Sequence, residues 1–348
     1  MNDQILAWRT FQGDDYRRVR QLGVSSVVTA LYDVAADQVW PLDRLQRELC
    51  EPIEAAGLRF HVVESLPVAD EIITGGPAAP RLLDIWCRSL ENIARVGVQV
   101  VTYNWMLGPD WCRTHQLTLP DGSETLAYDE AAAESDAGVR PLPGWLKNVD
   151  DENLQKSLDQ HRRVGPDQLW DGLGKFLRRV VPVAEELGVK LALHPDDPPW
   201  PVFGIPRIIT DAAALERMLG ICDSPANGLC FCTGSLGVSP ANDLPAMIRR
   251  FGSRIHFAHV RNVVRTGSRS FYESAHHEGD LDLCEVLAAF HDVGFRGPMR
   301  PDHGHRIWDE QNERPGYYWI TRAMGLSYLR GIWQAIAAQA NAALRSAA

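Results

Sequence analysis

Short apolar segments rich in β-branched residues recur along this chain, and helix-like segments separate them. Eight such segments are present, at residues 5–11, 25–32, 59–65, 98–105, 189–195, 228–234, 254–262 and 297–304. Apolar runs with little alternation are typical of strands that are buried on both faces, as in a parallel sheet. The repetition therefore predicts eight parallel strands.

The helix-like segments end in a consistent way. A glycine follows the last periodic residue at Gly23, Gly57, Gly97 and Gly188, and a strand-like segment begins soon afterwards. Glycine is the usual residue just past a helix end. Eight strands alternating with helices predict one (β/α)₈ TIM-barrel domain over residues 1–348. A doubly wound sheet is the alternative, but "FQGDDY" after the first strand lacks its Gly-rich phosphate turn.

One connection is much longer than the others. It follows the fourth strand, covers about residues 106–168 and is rich in Gly, Pro and Asp. A structureless connection of this length is uncommon inside a compact domain. We predict an insertion on the catalytic face that acts as a lid or a subunit contact. A partly disordered insertion is the alternative.

Charge and cysteine usage exclude several function classes. The net charge of -10 disfavours binding to nucleic acid or to a membrane surface. Seven cysteines without disulfide-like spacing in 348 residues indicate a reduced, cytoplasmic protein. The first residues lack the apolar region of a signal peptide, and no apolar run is long enough to span a membrane.

Four consecutive predicted strands finish on residues that bind metals well. Strands five to eight end at His194, Cys232, His259 and Asp302. Barrel enzymes place their chemistry at the C-terminal ends of the strands. Two imidazoles, a thiolate and a carboxylate suit a divalent transition metal, and a barrel mouth leaves coordination positions open for a substrate. Each residue alone is also compatible with a structural role, so the prediction depends on their joint position.

Other polar residues near the strand ends are candidates for the same site. Asn104 ends the fourth strand, and Glu64 ends the third, where a structural ion pair is as plausible as substrate binding. His303 follows Asp302 directly and is a candidate general acid or base.

Several longer segments carry a further signal: "HPDDPP", "GIPRI", "CTGSLGV", "FAHVRN", "ESAHHEGDLD" and "PMRPDHGHR". Together they resemble the mannonate dehydratase family of the hexuronate pathway. The resemblance extends from Trp8 to the final helix. It implies a xylose-isomerase-like TIM barrel, a Mn²⁺ or Fe²⁺ centre, and conversion of D-mannonate to 2-keto-3-deoxy-D-gluconate and water. We also expect a homodimer or larger homo-oligomer.

The resemblance also implies residue roles. The metal ligands carried over are His194, Cys232, His259 and Asp302, the set that the strand ends indicate. The acid/base pair corresponds to His303 and to the tyrosine of "RPGYY", which is Tyr317, with Tyr318 as the alternative.

The carboxylate of a sugar acid needs a cationic partner. Arg113, Arg207, Arg261 and Arg300 lie near the family segments, and an arginine fork suits a carboxylate. We favour Arg261 and Arg207. His276 is a candidate for binding a sugar hydroxyl, or it caps its loop.

The chain departs from the family pattern after the second strand, where Tyr32 and Asp33 replace two histidines. A related sugar acid is therefore an alternative substrate. Three further alternatives are a sugar isomerase or epimerase on the same barrel, a metal-dependent phosphodiesterase, and a non-catalytic sugar-acid sensor. The Cys and two His ligands argue against the isomerase, and the net charge argues against the phosphodiesterase.

Overall fold

The computed structural model describes residues 4–108, 110–135, 151–312 and 314–347. An eight-stranded parallel sheet with the order β1-β2-β3-β4-β7-β8-β9-β12 dominates these residues, with strands numbered along the chain. Its strands are β1 Ala7–Arg9, β2 Ser26–Thr29, β3 Arg59–Glu64, β4 Val100–Asn104, β7 Lys190–His194, β8 Asn227–Cys232, β9 Ile255–Val260 and β12 Met299–Pro301. Each lies within a segment predicted from the sequence, or within one residue of it.

The two ends of this sheet approach each other. Leu6, just before β1, forms a parallel bridge with Met299 of β12, and the Met299 amide donates to the Ile5 carbonyl at 2.8 Å. The sheet is thus a nearly closed barrel of eight parallel strands, and the predicted (β/α)₈ TIM-barrel class is confirmed.

Helices follow the strands as predicted. Their bounds are α1 Tyr16–Gln21, α2 Leu42–Arg44, α3 Glu51–Ala55, α4 Asp70–Thr74, α5 Ala79–Arg95, α6 Glu130–Glu134, α7 Asp151–His161, α8 Pro166–Glu186, α9 Ala212–Ile221, α10 Thr233–Gly237, α11 Leu244–Phe251, α12 Leu283–Asp292 and α13 Trp319–Ala347. A π-helical turn, Leu45–Cys50, joins α2 to α3, and a 3₁₀ turn, Gly252–Arg254, follows α11. Gly97 after α5 and Gly188 after α8 have φ values of 81° and 67°, the left-handed conformation expected at these ends.

A second sheet occupies part of the predicted insertion. Strands β5 His115–Thr118 and β6 Glu124–Tyr128 form an antiparallel pair. They join β10 Asn262–Arg265 and β11 Phe271–Ser274 in the order β10-β11-β6-β5. The described part of residues 106–168 is therefore largely regular structure, whereas residues 109 and 136–150 lie outside the described residues. Its role as a lid or subunit contact stays a prediction.

The chain divides into two compact units. One comprises Ala7–Trp111 and Val149–Phe231, and its core includes the aromatic side chains of Trp86, Tyr103 and Phe176, with ring centroids 5.0 to 6.2 Å apart. The other comprises Met1–Leu6, Cys112–Asn148 and Cys232–Ala348. This second unit, called the C-terminal unit below, contains β9, β12, the antiparallel sheet and α13. Within the described part of the chain, no helix is long and apolar enough to cross a membrane.

Candidate active site

Three of the four predicted metal ligands lie together in the C-terminal unit. Cys232 ends β8, His259 is near the end of β9, and Asp302 follows β12. Their exposed fractions are 0%, 1% and 2%. The Cys232 sulfur lies 3.5 Å from Oδ2 of Asp302, and Nδ1 of His259 lies 3.8 Å from Oδ1 of Asp302. A soft sulfur, an imidazole and a carboxylate thus meet in a buried place, a donor set that fits a divalent transition metal.

The Cys232 sulfur is held by two hydrogen bonds from Ser235 in addition to its contact with Asp302. The Ser235 amide and hydroxyl both point to it, at 3.4 and 3.1 Å. These two hydrogen bonds fix the position of the sulfur atom. These contacts arise because Cys232 caps the short helix α10, which turns away directly after β8.

Two arginines pair with Asp302. Nη2 of Arg300 lies 2.8 Å from Oδ1, and Nη1 of Arg261 lies 3.0 Å from Oδ2. Burial by itself would raise the pKa of Asp302, but the nearby charges of His303, Arg300 and Arg261 outweigh it and hold the pKa well below its usual range. Asp302 is therefore an ionised carboxylate, as a metal ligand must be.

Gly234 makes room for Arg261. A Cβ atom at position 234 would lie 1.8 Å from Nε of Arg261. The Arg261 backbone is fixed as well, since its amide donates to the Thr233 hydroxyl at 3.0 Å and its carbonyl accepts from that hydroxyl at 2.7 Å. The "CTG" segment therefore positions both a candidate ligand and the arginine beside it.

His303 and Tyr317, the predicted acid/base pair, lie side by side. Their ring centroids are 5.1 Å apart with nearly perpendicular planes, and the exposed fractions are 5% and 3%. Tyr318 has a different environment, because its hydroxyl accepts a hydrogen bond from Gln116 at 3.4 Å. Of the two tyrosines, the structure places Tyr317 next to His303.

Glu273 is a buried residue of this cluster that the sequence did not identify. Both of its carboxylate oxygens lie within 3.0 Å of Nδ1 of His303, and Nη2 of Arg113 lies 2.6 Å from Oε1. Burial would raise the pKa of Glu273, but the charges of His303, Arg261 and Arg113 bring it down to about 2. A single acidic residue inside a four-residue strand gives no sequence signal for this role.

His194, the fourth predicted ligand, ends β7 in the other unit. Its Nδ1 atom lies 2.7 Å from the Pro195 carbonyl oxygen. A carbonyl only accepts, so Nδ1 donates this hydrogen bond, and Nε2 is the nitrogen that could bind a metal. This arrangement is usual for a metal-binding imidazole.

The remaining candidates of that unit are engaged with neighbours. Glu64 accepts a hydrogen bond from Arg9 at 2.7 Å, which is the ion pair considered above. Asn104 donates to Asp110 at 3.0 Å. The buried Arg207 has Nη1 4.0 Å from Oδ1 of Asp196, whose pKa is raised by burial.

Comparison with known proteins decides the family. The family model described as D-mannonate dehydratase (UxuA) matches residues 3–343. The chain belongs to the D-mannonate dehydratase family. This membership identifies it as a dehydratase, an enzyme of the hydro-lyase class.

Individual relatives agree with the family. Mannonate dehydratase 2 of Halalkalibacterium halodurans is 46% identical over 322 residues, which cover 90% of this chain and 93% of that protein. Mannonate dehydratase of Thermotoga maritima is 46% identical over 340 residues, which cover 92% of this chain and 93% of that protein.

Solved structures agree with the fold. The crystal structure of mannonate dehydratase from Streptococcus suis serotype 2 superimposes with a TM-score of 0.88 at 37% identity and covers 97% of this chain and 96% of that one. An L-ribulose 3-epimerase matches with a TM-score of 0.58 at 13% identity, covering 98% of each chain, and so shows only the shared barrel.

His276, in the segment "ESAHHEGDLD", makes contacts that hold its own loop in place. Its Nε2 atom lies 2.9 Å from the Val260 carbonyl oxygen, and the side chain is buried. Its ring also packs against Gly325 of α13, where a Cβ atom would lie 2.3 Å from Nδ1. These contacts favour the loop-supporting role over binding of a sugar hydroxyl.

The buried His276 makes stability depend on pH. Burial lowers its pKa from 6.5 to about 4. Between these values the unfolded chain binds a proton that the folded chain does not, so the free energy of unfolding falls as the pH falls, by up to about 1.4 kcal/mol per pH unit. Urea unfolding at pH of about 7 and about 5 measures this slope. His276→Gln should make the slope shallower, and His277→Gln, at an exposed neighbour, should leave it unchanged; equal slopes in all three proteins would contradict the assignment.

Proposed function

We propose that this protein removes water from D-mannonate to give 2-keto-3-deoxy-D-gluconate, using Mn²⁺ or Fe²⁺. The observation that carries the proposal is the buried cluster of Cys232, His259 and Asp302 beside His303 and Tyr317. Family membership supports the reaction class and a sugar-acid substrate.

The proposed metal ligands are His194, Cys232, His259 and Asp302. The sulfur of Cys232 and the imidazole of His259 lie in the same unit as Asp302, and His194 ends β7 as these residues stand at or near the ends of their own strands, which supports the choice. Asp302 reaches Cys232 and His259 through its oxygens at 3.5 Å from the sulfur and 3.8 Å from His259. A bound divalent cation would stabilise the negative charge that develops on the substrate carboxylate during the reaction.

The proposed chemistry is a β-elimination. The C2 proton of a sugar acid is weakly acidic, because its removal places charge on the adjacent carboxylate. His303 and Tyr317 are the proposed pair: one accepts the C2 proton, and the other protonates the departing 3-hydroxyl. Their neighbouring rings support a shared role on one substrate. The enol then tautomerises to the 2-keto acid.

Arg261 and Arg207 are the proposed partners of the substrate carboxylate. Both are buried, with exposed fractions of 1% and 8%, so their charges are little screened by water. Arg261 also pairs with Asp302, which places its charge beside the ligand cluster. Asn104 and Glu64 stay predicted substrate contacts, whereas the contacts of His276 with Val260 and Gly325 favour its alternative role of supporting its loop. A place in hexuronate catabolism, a cytoplasmic location and a homo-oligomeric state likewise stay predictions.

Assay of the purified protein with D-mannonate tests the proposal. With Mn²⁺ we expect a 2-keto-3-deoxy acid to accumulate, chelator to abolish turnover, and added Mn²⁺ or Fe²⁺ to restore it. Other aldonates assayed in parallel would show whether Tyr32 and Asp33 accompany a changed substrate. An isomerised or epimerised product that retains all its oxygen atoms would contradict the dehydratase proposal, and undiminished turnover by protein shown to be metal-free would contradict the role of the metal.

A further inference from the structure

Nδ1 of His303 lies within hydrogen-bond distance of two partners, one an acceptor and the other a donor. The two oxygens of Glu273 lie 3.0 and 2.9 Å away, and Nη1 of Arg261 lies 2.8 Å away. A carboxylate can only accept a hydrogen bond from this nitrogen, and a guanidinium can only donate one. The partner that prevails fixes the position of the ring proton, and therefore which nitrogen can act in catalysis.

The surrounding hydrogen bonds favour Glu273 as the partner of Nδ1 of His303. Within the described residues, His303 supplies the hydrogen bond to Oε2 of Glu273, whereas Oε1 also accepts from Nε and Nη2 of Arg113 at 2.9 and 2.6 Å. If Nδ1 carried no proton, Oε2 would be a buried charged oxygen facing a lone pair, which is costly. Arg261 has alternatives, because its Nη1 lies 3.0 Å from Asp302 and 3.4 Å from Glu273.

Arg113 and Thr125 also hold Glu273 in place. Arg113 is fully buried, donates to the Cys112 carbonyl at 2.7 Å, and places its guanidinium 4.9 Å from the centre of the Phe271 ring. The Thr125 hydroxyl donates to the Glu273 carbonyl at 2.7 Å, which links β6 to β11. A carboxylate fixed at both its backbone and its side chain can fix the imidazole that it contacts.

We propose that Glu273 is a positioning residue that keeps the proton of His303 on Nδ1, so that Nε2 exchanges a proton with the substrate. Arg113 acts one step further away by keeping Glu273 in place. The antiparallel sheet, to which the predicted insertion contributes β5 and β6, therefore has a catalytic purpose, since β11 carries Glu273 and Arg113 lies just before β5. The consequence for turnover rests on the proposed function, but the position of the proton does not.

The tautomer can be measured without any turnover. In protein labelled with ¹⁵N-histidine, long-range ¹H–¹⁵N spectra report which ring nitrogen carries the proton, and His303→Asn identifies the signal. Spectra without metal and with Zn²⁺, which is diamagnetic, should show His303 protonated at Nδ1, and Glu273→Gln should weaken that preference. A wild-type ring protonated at Nε2 alone would overturn the inference whatever the enzyme's substrate.

A double-mutant cycle then separates positioning from a merely structural role. Glu273→Gln should lower kcat for D-mannonate by about 10–100-fold with little change in KM or metal content, as supporting residues of such sites typically do. In the His303→Asn background the same change should lower kcat no further. An equal loss in both backgrounds would overturn the positioning role.

Two further variants complete the test. Arg113→Lys keeps the positive charge but loses the two-pronged hydrogen bonding of the guanidinium. It should therefore lower kcat when His303 is present and should lower it no further in the His303→Asn protein. If Glu273→Gln does not fold, Arg113→Lys takes its place in the test. The matched control is Glu124→Gln, which breaks the Arg306–Glu124 ion pair on the same sheet without touching His303 and should leave kcat unchanged. A wild-type enzyme inactive on D-mannonate would overturn the proposed function, while the tautomer would still decide the role of Glu273.

Discussion

Replacing His303 with Asn is expected to lower kcat for dehydration by about 10²–10⁴-fold, the usual loss when a general acid or base is removed. His303 lies beside Tyr317 and one residue after the candidate ligand Asp302, but it is not itself among the proposed ligands. Asn has similar polarity at smaller volume and cannot exchange a proton. Steady-state kinetics with D-mannonate, together with metal analysis of the same samples, measures both effects.

The matched control is His305→Asn, the same change two residues further along the loop. His305 is partly buried and does not belong to the proposed catalytic pair, so its replacement should change kcat only slightly. A His303→Asn protein that has lost its metal together with its activity would show that His303 supports the metal centre instead of transferring a proton. Equal losses of kcat in the two variants would mean that turnover depends on the loop conformation and not on the imidazole of His303.

Replacing Cys232 with Ser is expected to weaken binding of Mn²⁺ or Fe²⁺ by at least about 100-fold, more than loss of a residue that only supports a ligand. A serine hydroxyl stays neutral and so removes one negative donor from the cluster with His259 and Asp302. The hydroxyl oxygen is also smaller than the sulfur atom to which the Ser235 hydroxyl and amide now donate, at 3.1 and 3.4 Å. Metal titration, followed by kcat at saturating metal, measures the loss.

Cys230 offers the control for this experiment. It lies on the same strand, it is fully buried, and the substitution is the same, but it stands two residues before the strand end. Cys230→Ser should therefore cost stability with little change in metal affinity. Similar losses of affinity in both variants would show that disturbance of β8, and not loss of a ligand, weakens the site.

The strands of the barrel could be predicted because their signal is local. A strand buried on both faces needs a continuous apolar run, and a helix that ends before the next strand needs a residue that tolerates the left-handed conformation, as Gly97 and Gly188 do. The antiparallel sheet could not be predicted in the same way. Strand β5 is mostly exposed and carries no apolar run. Strand β6 is buried from Thr125 to Tyr128, but it is one short strand whose partner β11 lies more than a hundred residues further along the chain.

The same distinction applies to the site. The sequence by itself determined which residue types stand at the ends of successive strands, because parallel strands in a barrel all finish at one rim; this gave His194, Cys232, His259 and Asp302 as candidate ligands. Only the tertiary structure decided how the charges are paired. Asp302 pairs with Arg261, Glu64 pairs with Arg9, and Glu273 meets His303. Such contacts join side chains far apart in sequence, and no local pattern encodes their pairing.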